Sequence, residues 1–223
     1  MKVRFIGHSC FILESNNASI IIDPFIKGNP SATIKPADVK VDAILVTHGH
    51  SDHLGDAVEI SKRNNAPVIG TFELVNYCIS KGATGHQMHI GGGHDFPFGR
   101  VKLTIAHHGS SGEDIQPGAP CGFIINMGGK TVYHAGDTGL FSDMELIGET
   151  NPIDLALLPI GDNFTMGIED AILAVGMLRP KRVIPMHYNT FDLIRQDPEL
   201  LRKGLVGKDV IMEVLRPGEE TEI

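Results

Sequence analysis

The sequence predicts an α/β (α+β) fold in which helices cover two mixed β-sheets. Strand-like runs form hairpins at the start and in the middle of the chain, and strands alternate with helices after each hairpin. Hairpins join antiparallel strands, so they argue against a single all-parallel sheet. A chain of 223 residues can bury one large core, and no linker-like stretch divides it. We therefore expect a single domain over residues 1–223.

The individual elements follow from apolar patterns and turn residues. One hairpin joins residues 9–14 to residues 18–22 across Ser15-Asn16-Asn17. Another spans residues 121–134 and turns at Gly128-Gly129. The other strand-like runs, some of them almost continuously apolar, are residues 2–6, 41–47, 66–70, 87–90, 100–106, 153–159, 182–186 and 208–215. Helix-like runs cover residues 55–64, 71–81, 167–178 and 197–204.

The composition limits the kinds of molecule that the protein is expected to bind. Acidic residues outnumber basic ones by 27 to 19, which gives a net charge of −8, whereas nucleic-acid binders usually carry a basic surface. No apolar run approaches the ~20 residues of a membrane-spanning helix, and we expect no signal peptide. The three cysteines form no CxxC pair, which favours a cytoplasmic location. We expect a small-molecule substrate and no nucleic-acid or membrane partner; a homo-oligomer is left open.

The chain contains 11 histidines, and their placement is its most informative feature. The densest group falls within six residues, directly after the apolar run 41–47, and consists of His48, His50, Asp52 and His53. Imidazole nitrogen and carboxylate oxygen are common metal ligands, and a turn after a strand lets such side chains converge. A histidine-rich solvated loop is the alternative, but this spacing favours a metal site.

More candidate ligands follow other predicted strands. His107 and His108 come after one strand. Asp137 comes after the second hairpin, and His187 ends a later strand. Taken singly, each is equally well explained as a surface or core residue. Because all of them follow strands, one edge of a two-sheet sandwich could bring them to the first group.

The segment HGHSDH at residues 48–53 resembles the HxHxDH motif of the metallo-β-lactamase superfamily. Other segments resemble one branch of that superfamily, the small metal-dependent hydrolases of unassigned substrate that are related to ascorbate-6-phosphate lactonases. These segments are GHSCFILE, IIDPF, HHGSS, HAGDTG, LLPIGDNFTMG and PMHYNTF. The resemblance covers nearly the whole chain. It implies a four-layer αββα sandwich of two mixed sheets with the metals at one edge.

The resemblance also implies a ligand set for two metal ions. It assigns His48, His50 and His108 to the first ion, Asp52, His53 and His187 to the second, and Asp137 to both as a bridge. His108 is preferred to His107 because the family's ligand directly precedes Gly-Ser or Ser-Ser, and because strand alternation lets only one of the two face the edge. Asp52 is also a candidate catalytic residue that orients the attacking water.

This donor set suits divalent transition metals. Imidazole and carboxylate without thiolate favour zinc, and manganese, iron, cobalt or nickel are permitted. Two such ions ~3.5–4 Å apart can share a hydroxide that forms at neutral pH. We therefore expect a metal-dependent hydrolase with a dinuclear site, which attacks a small ester, lactone, amide or phosphoester with a metal-bridging hydroxide.

Two other functions stay open at this point. A phosphodiesterase or nuclease of the same fold would use the same metals, although a net charge of −8 disfavours long nucleic acids, whose binding depends on lysine and arginine. A non-enzymatic metal binder or a diiron redox protein is the third possibility. The intact Asp52 argues against a loss of hydrolytic activity.

Further residues are candidates for contact with substrate or for support of the ligands. An aspartate at a strand end can accept a hydrogen bond from a ligand histidine. Each candidate also has a plain structural interpretation, as a loop, core or turn residue. The candidates are His8, Asp23, His134, Asn163 and Asn189. Three more histidines surround the glycines at 91–93 and suggest either a third metal site or an exposed loop with incidental histidines: His86, His89 and His94.

Overall fold

The computed structural model describes residues 1–15, 18–112 and 116–223. The strands are β1 (Lys2–Gly7), β2 (Cys10–Ser15), β3 (Ala18–Ile22), β4 (Ala43–Leu45), β5 (Pro67–Thr71), β6 (Thr84–Met88), β7 (Gly93–Phe96), β8 (Gly99–Ile105), β9 (Cys121–Met127), β10 (Lys130–His134), β11 (Leu155–Pro159), β12 (Arg182–Met186), β13 (Ile211–Met212) and β14 (Glu220–Glu222). The helices are α1 (Ser51–Leu54), α2 (Ala57–Asn64), α3 (Phe72–Ser80), α4 (Met144–Thr150), α5 (Ile168–Leu178) and α6 (Pro198–Gly204). Within the turn predicted at 15–17, Asn16 and Asn17 lie outside the described residues.

The strands form two seven-stranded sheets, and both sheets are mixed. The first has the order β14-β1-β2-β3-β4-β5-β6, and the second has the order β13-β12-β11-β10-β9-β8-β7. In the first sheet the pairs from β14 to β3 are antiparallel and the pairs from β3 to β6 are parallel. The second sheet repeats this division, with antiparallel pairs from β7 to β10 and parallel pairs from β10 to β13. The predicted fold class is therefore confirmed.

Three apolar cores hold the layers together, one between the sheets and one beneath the helices on each outer side. In β2, Phe11 and Leu13 point into the core between the sheets, while Cys10 and Ile12 point the other way, toward α2 and α3. Successive side chains of a strand alternate between faces, so a strand covered on both faces is apolar throughout. Across the described ranges, no helix is long and apolar enough to cross a membrane.

The course of the strands explains why candidate ligands gather at one edge. Strands β1, β3 and β4 run in the same direction in the first sheet, as do β8, β10, β11 and β12 in the second. The loops that follow these strands therefore emerge at one edge of each sheet, as the carboxyl ends of parallel strands do.

The chain between β5 and β8 differs from the sequence prediction. The strand predicted at 87–90 is observed earlier in the chain, as β6 (Thr84–Met88). Part of the predicted glycine loop forms the edge strand β7. Gly91, with φ of +87°, makes the turn that carries the chain from one sheet to the other. His86 and His94 consequently lie on the edge strands of different sheets, with ring centroids 4.2 Å apart.

Other departures involve short elements. The strand predicted at 208–215 is reduced to the two residues of β13, and α4 and β14 were not predicted. Helix α4 contains Gly148, a weak helix former, whose missing side chain leaves room for the Leu178 carbonyl 2.6 Å from where a Cβ would lie. Strand β14 exists through its pairing with β1, a contact between the two ends of the chain that no local pattern reveals.

Candidate metal centre

The candidate ligands meet where the loops after β1, β3, β4, β8, β10 and β12 lie side by side. Two groups of side chains converge there, and within each group the ligand atoms lie within 4.8 Å of one another. The Asp52 group consists of His8, Asp52, His53 and His187. The His50 group consists of His48, His50 and His108. Asp137 lies between the two groups, in contact with both.

Asp137 is the centre of this arrangement. Its Oδ2 atom is surrounded by four imidazole nitrogens, the Nε2 atoms of His187 at 2.9 Å, His53 at 3.2 Å, His108 at 3.5 Å and His48 at 4.0 Å. Burial raises the pKa of Asp137, but His53 and His187 more than offset this effect and hold the pKa well below its usual range. A buried carboxylate that stays ionised can hold cations on both of its sides.

In the Asp52 group, His8 connects Asp52 to the adjoining loop. His8 Nε2–H donates to Asp52 Oδ2 over 3.1 Å, and Thr190 Oγ1–H donates to His8 Nδ1 over 2.9 Å. The His8 ring lies 4.0 Å from the ring of His187. Burial lowers the pKa of His8 to about 4, so His8 is neutral at pH 7 and this tautomer satisfies both hydrogen bonds. The Asp52 carboxylate is thus held in one orientation.

In the His50 group, the three imidazoles lie close together. His48 Nε2 and His50 Nδ1 are 2.9 Å apart, and the ring of His108 lies 5.1 Å from each of their rings. Burial lowers the pKa of His48 well below its usual value and lowers that of His108. A Cβ at Gly49 would lie 2.4 Å from Pro117 Cγ, so the tight approach of this turn requires glycine. Neutral imidazole is the form that binds metals.

Asp23 sets the orientation of one histidine in each group. His53 Nδ1–H donates to Asp23 Oδ2 over 2.7 Å, which leaves His53 Nε2 directed toward Asp137. Thr47 donates its hydroxyl to the same carboxylate at 2.7 Å and accepts from His48 Nδ1 at 2.9 Å. Both histidines therefore present Nε2 to the centre, and Asp23 is the fully buried anchor that holds them there.

Backbone strain is concentrated at this edge. Among the described residues, seven non-glycine residues have positive φ, and five of them lie in the loops of the site: His8, Asp23, Asp162, His187 and Asn189. The other two, Asn65 and Arg179, end helices, where a left-handed residue is usual. The left-handed conformation costs a non-glycine residue about 1–2 kcal/mol. Such strain clusters at functional sites because it holds side chains in required positions.

The polar atoms of the centre are suited to a metal ion. His53 Nε2 and Asp137 Oδ1 are buried and make no hydrogen bond among the described residues, although His53 Nε2 faces Asp137 Oδ2 at 3.2 Å. Burial lowers the pKa of His53, but Asp137 and Asp23 outweigh it and hold the pKa well above its usual value. The carboxylates therefore require positive charge at this position, which a proton or a metal cation can supply. Nitrogen and carboxylate donors are those that zinc and related metals prefer.

The rings of His107 and His108 point in different directions. His108 points to Asp137, whereas the ring of His107 stacks on Phe141 with centroids 5.0 Å apart. The backbone N–H of His107 donates to Thr138 Oγ1 over 2.9 Å, which fixes the loop. His107 is exposed and lies outside both ligand groups.

The remaining candidates occupy supporting positions. His134 Nε2–H donates to the Ser9 carbonyl at 3.0 Å, and its Nδ1 accepts from Gly136 N at 3.1 Å, so both ring nitrogens hold the backbone. Asn189 Oδ1 accepts from Gln196 N at 2.8 Å and closes its loop. Asn163 is exposed on the loop after β11. His86 and His94 belong to no group of three candidate ligands within the described ranges, and His89 is exposed.

Two contributors to the site were missed from the sequence. Thr47 connects Asp23 to His48, and Ser110 Oγ accepts from Gly49 N at 3.1 Å, which ties the loop of His108 to the loop of His48. A hydroxyl directly before the first histidine of the motif was the available signal for Thr47. Nothing local pointed to Ser110, because its partner is 61 residues away.

The fold and this site define a two-sheet protein with a buried histidine and aspartate cluster suited to divalent metals. A family model described as the β-lactamase superfamily domain matches residues 2–187, and the chain belongs to that superfamily. Within it the chain is a member of the UPF0173 metal-dependent hydrolases. It is 55% identical to one from Desulforamulus reducens and 54% identical to one from Pelotomaculum thermopropionicum, in each case over 100% of both chains.

Solved structures agree with this assignment. Igni18, a metallo hydrolase from Ignicoccus hospitalis, superposes with a TM-score of 0.91 at 40% sequence identity, and the match covers 100% of this chain and 98% of that one. An isothiocyanate hydrolase from Delia radicum gut bacteria has a TM-score of 0.77 at 21% identity, covers 100% of this chain and 99% of that one, and shares the fold.

Proposed function

We propose that the chain hydrolyses a small molecule with two divalent transition-metal ions held at the Asp137 edge. The observation that carries this proposal is the position of Asp137 Oδ2 within 4.0 Å of four imidazole nitrogens drawn from both groups. A dinuclear site requires a carboxylate that is shared by two sets of ligands, and Asp137 is placed to be shared in this way.

The His50 group would hold one ion, and Asp52, His53 and His187 would hold the other. Zinc suits this donor set best, with manganese, iron, cobalt and nickel as permitted alternatives. Bound there, such a pair of ions supplies a hydroxide at neutral pH and polarises the attacked carbonyl or phosphoryl group. The substrate classes compatible with this chemistry are esters, lactones, amides and phosphoesters.

Asp52 has a second role in this proposal. Its side chain is 26% exposed, more than that of Asp137, so it is the carboxylate of the site that faces entering water. The hydrogen bond from His8 and the charge of His53 keep the pKa of Asp52 below its usual range, although burial raises it. An ionised and oriented carboxylate can accept a hydrogen bond from the attacking water and direct it.

The test combines metal analysis with turnover. The purified protein is stripped with a chelator and reloaded with zinc or with manganese, and elemental analysis is expected to find about two ions per chain. Chromogenic esters, lactones and phosphodiesters are then assayed on the same samples, with the stripped protein as control. Metal binding should also raise the melting temperature, because it stabilises the native state alone. A reloaded protein that contains no metal would overturn the proposal.

A further inference from the structure

Three large apolar side chains are exposed on two of the loops around the centre. Large apolar side chains are normally buried, and exposed ones grouped beside a cleft indicate a binding surface. Phe164 is 52% exposed on the loop after β11. Phe191 and Leu193 are 43% and 69% exposed on the loop after β12. Both loops emerge at the same edge as the candidate ligands.

Phe191 lies next to the ligands themselves. Its ring packs edge-on against His8 with centroids 5.5 Å apart, and it also lies 6.4 Å from the ring of Phe25. His8 in turn contacts Asp52 and His187. Phe191 therefore contacts His8, which in turn contacts the candidate ligands Asp52 and His187. Nearly half of the Phe191 surface faces solvent.

The loop that carries Phe191 is held in place. Asn189 N donates to the Ile194 carbonyl over 2.8 Å, and Ile194 N donates back to the Phe191 carbonyl over 3.1 Å. Thr190 is bonded to His8, and Ile194 is fully buried beneath the loop. An aromatic ring on such a loop loses little conformational entropy when a ligand covers it. This small cost favours a role for the ring as a rigid surface on which a ligand packs.

The lysine and the arginine in the described parts of the same loops are both paired. In the described parts of the loops at 24–31, 107–112, 138–141, 161–166 and 188–196, the only lysine and arginine are Lys27 and Arg195. Lys27 is paired with Glu59, and Arg195 Nη2 lies 2.7 Å from Asp192 Oδ1. A substrate with an anionic tail would find no unpaired cation on these loops. An anionic group is usually recognised by arginine or lysine, so their pairing here favours a neutral tail.

We infer that the substrate carries a neutral, apolar substituent that lies on Phe191. This inference rests on the proposed hydrolase function and narrows its substrate class. It places substrates with charged tails outside the preferred class. Phe191 is then a specificity residue, which contacts the substituent and takes no part in the bond that is broken.

The test measures binding and so does not depend on turnover. Linear hydroxamic acids are uncharged in neutral solution and chelate metal ions as hydroxamates, and the set from acetohydroxamic to octanohydroxamic acid varies only in chain length. Titration calorimetry on the zinc-loaded protein should find affinity rising about two- to fourfold per added methylene, the range for partial to full burial of one methylene. An octanohydroxamic acid bearing a terminal carboxylate should bind at least threefold more weakly than its methyl-terminated counterpart.

The variants isolate Phe191. Phe191→Ala should abolish most of the gain in affinity from acetohydroxamic to octanohydroxamic acid, whereas Phe191→Leu should keep most of that gain. Leu146→Ala, which removes an exposed apolar side chain from α4, is the matched control and should behave as the wild type.

Two results would overturn the inference while leaving the metal centre intact. One is acetohydroxamic and octanohydroxamic acids binding equally well, and the other is the carboxylate-terminated ligand binding more tightly. If acetohydroxamic acid fails to bind a protein shown to contain zinc, the metal centre is closed to ligands, and the proposed function fails together with the inference.

Discussion

The two groups of candidate ligands differ in how firmly the protein holds them. In the Asp52 group, His53 is tied to Asp23 at 2.7 Å, Asp52 is bonded to His8 at 3.1 Å, and His187 is 2% exposed. Within the described ranges, His48 is the one member of the His50 group that is held from outside the group, through Thr47, and the group carries no carboxylate of its own. The Asp52 group is thus more negative, more buried and better oriented than its neighbour.

The difference has a consequence for metal binding. A site with an extra carboxylate and oriented ligands binds a divalent cation more tightly than a neutral site whose side chains must first be ordered. We therefore expect the ion in the His50 group to be the first released when a chelator is titrated into the loaded protein.

The largest effect is expected for Asp137→Asn, because this change affects both groups at once. Asparagine keeps the shape of the side chain but removes the charge that four imidazoles share. Changes to residues that only support ligands typically cost ~10–100-fold in affinity or activity, and loss of the bridge should cost more. Metal stoichiometry, turnover and circular dichroism are measured on the same samples. A folded variant with two ions and full turnover would show that Asp137 is an ordinary turn residue.

A change confined to the His50 group should separate the two ions. His108→Ala is expected to lower the content from about two ions to about one, with loss of turnover, because the Asp52 group stays intact. His107→Ala is the control, since the His107 ring stacks on Phe141 away from the centre. Elemental analysis of both variants is the measurement. If His107→Ala loses metal and His108→Ala does not, the assignment of the two histidines is reversed.

Asp23→Asn should have a smaller effect that falls mostly on the Asp52 group. The asparagine amide removes the carboxylate oxygen that accepts from His53 Nδ1–H. It also weakens the hydrogen bonds that link residue 23 through the Thr47 hydroxyl to His48. We expect metal affinity or turnover to fall by ~10–100-fold, the usual range for such support. The chelator concentration at which each ion is released should shift more for the ion of the Asp52 group. An equal shift for both ions would remove the distinction between the groups.

His134 lies beside the site but belongs to neither group, and its effect should be on stability alone. Burial lowers the pKa of His134. Below about pH 6.5, His134 therefore binds fewer protons in the folded metal-free protein than in the unfolded chain. By linkage, the free energy of unfolding then decreases as the pH is lowered.

His134→Gln removes this titrating group, so it should make the dependence on pH shallower by up to about 1.4 kcal/mol per pH unit. At pH 7.5 it should cost about 1–3 kcal/mol, because Gly136 N–H loses its acceptor. Urea unfolding of the metal-free protein between pH 5 and pH 8 measures both effects. Altered metal stoichiometry in this variant would mean that His134 acts on the centre.

Local sequence was a good guide to most elements and a poor one where pairing is distant. The hairpin at 121–134 and the strand at 182–186 match the structure at both ends, because their turns and apolar runs are adjacent along the chain. Strand β7 was hidden in a glycine-rich stretch, and its place at the edge of the second sheet follows from its pairing with β8. The same reason applies to β14.

The sequence by itself determined which chemistry is available: the HxHxDH spacing, the histidines and aspartates after strands, and the lack of thiolate at these positions define a set of candidate metal ligands. Only the tertiary structure decided how those ligands are held. The orientation of His53 and His48 by Asp23, the bond from His8 to Asp52 and the exposed Phe191 beside His8 all join residues from different loops. A side chain's tautomer and direction depend on its partners in space, and no local pattern contains them.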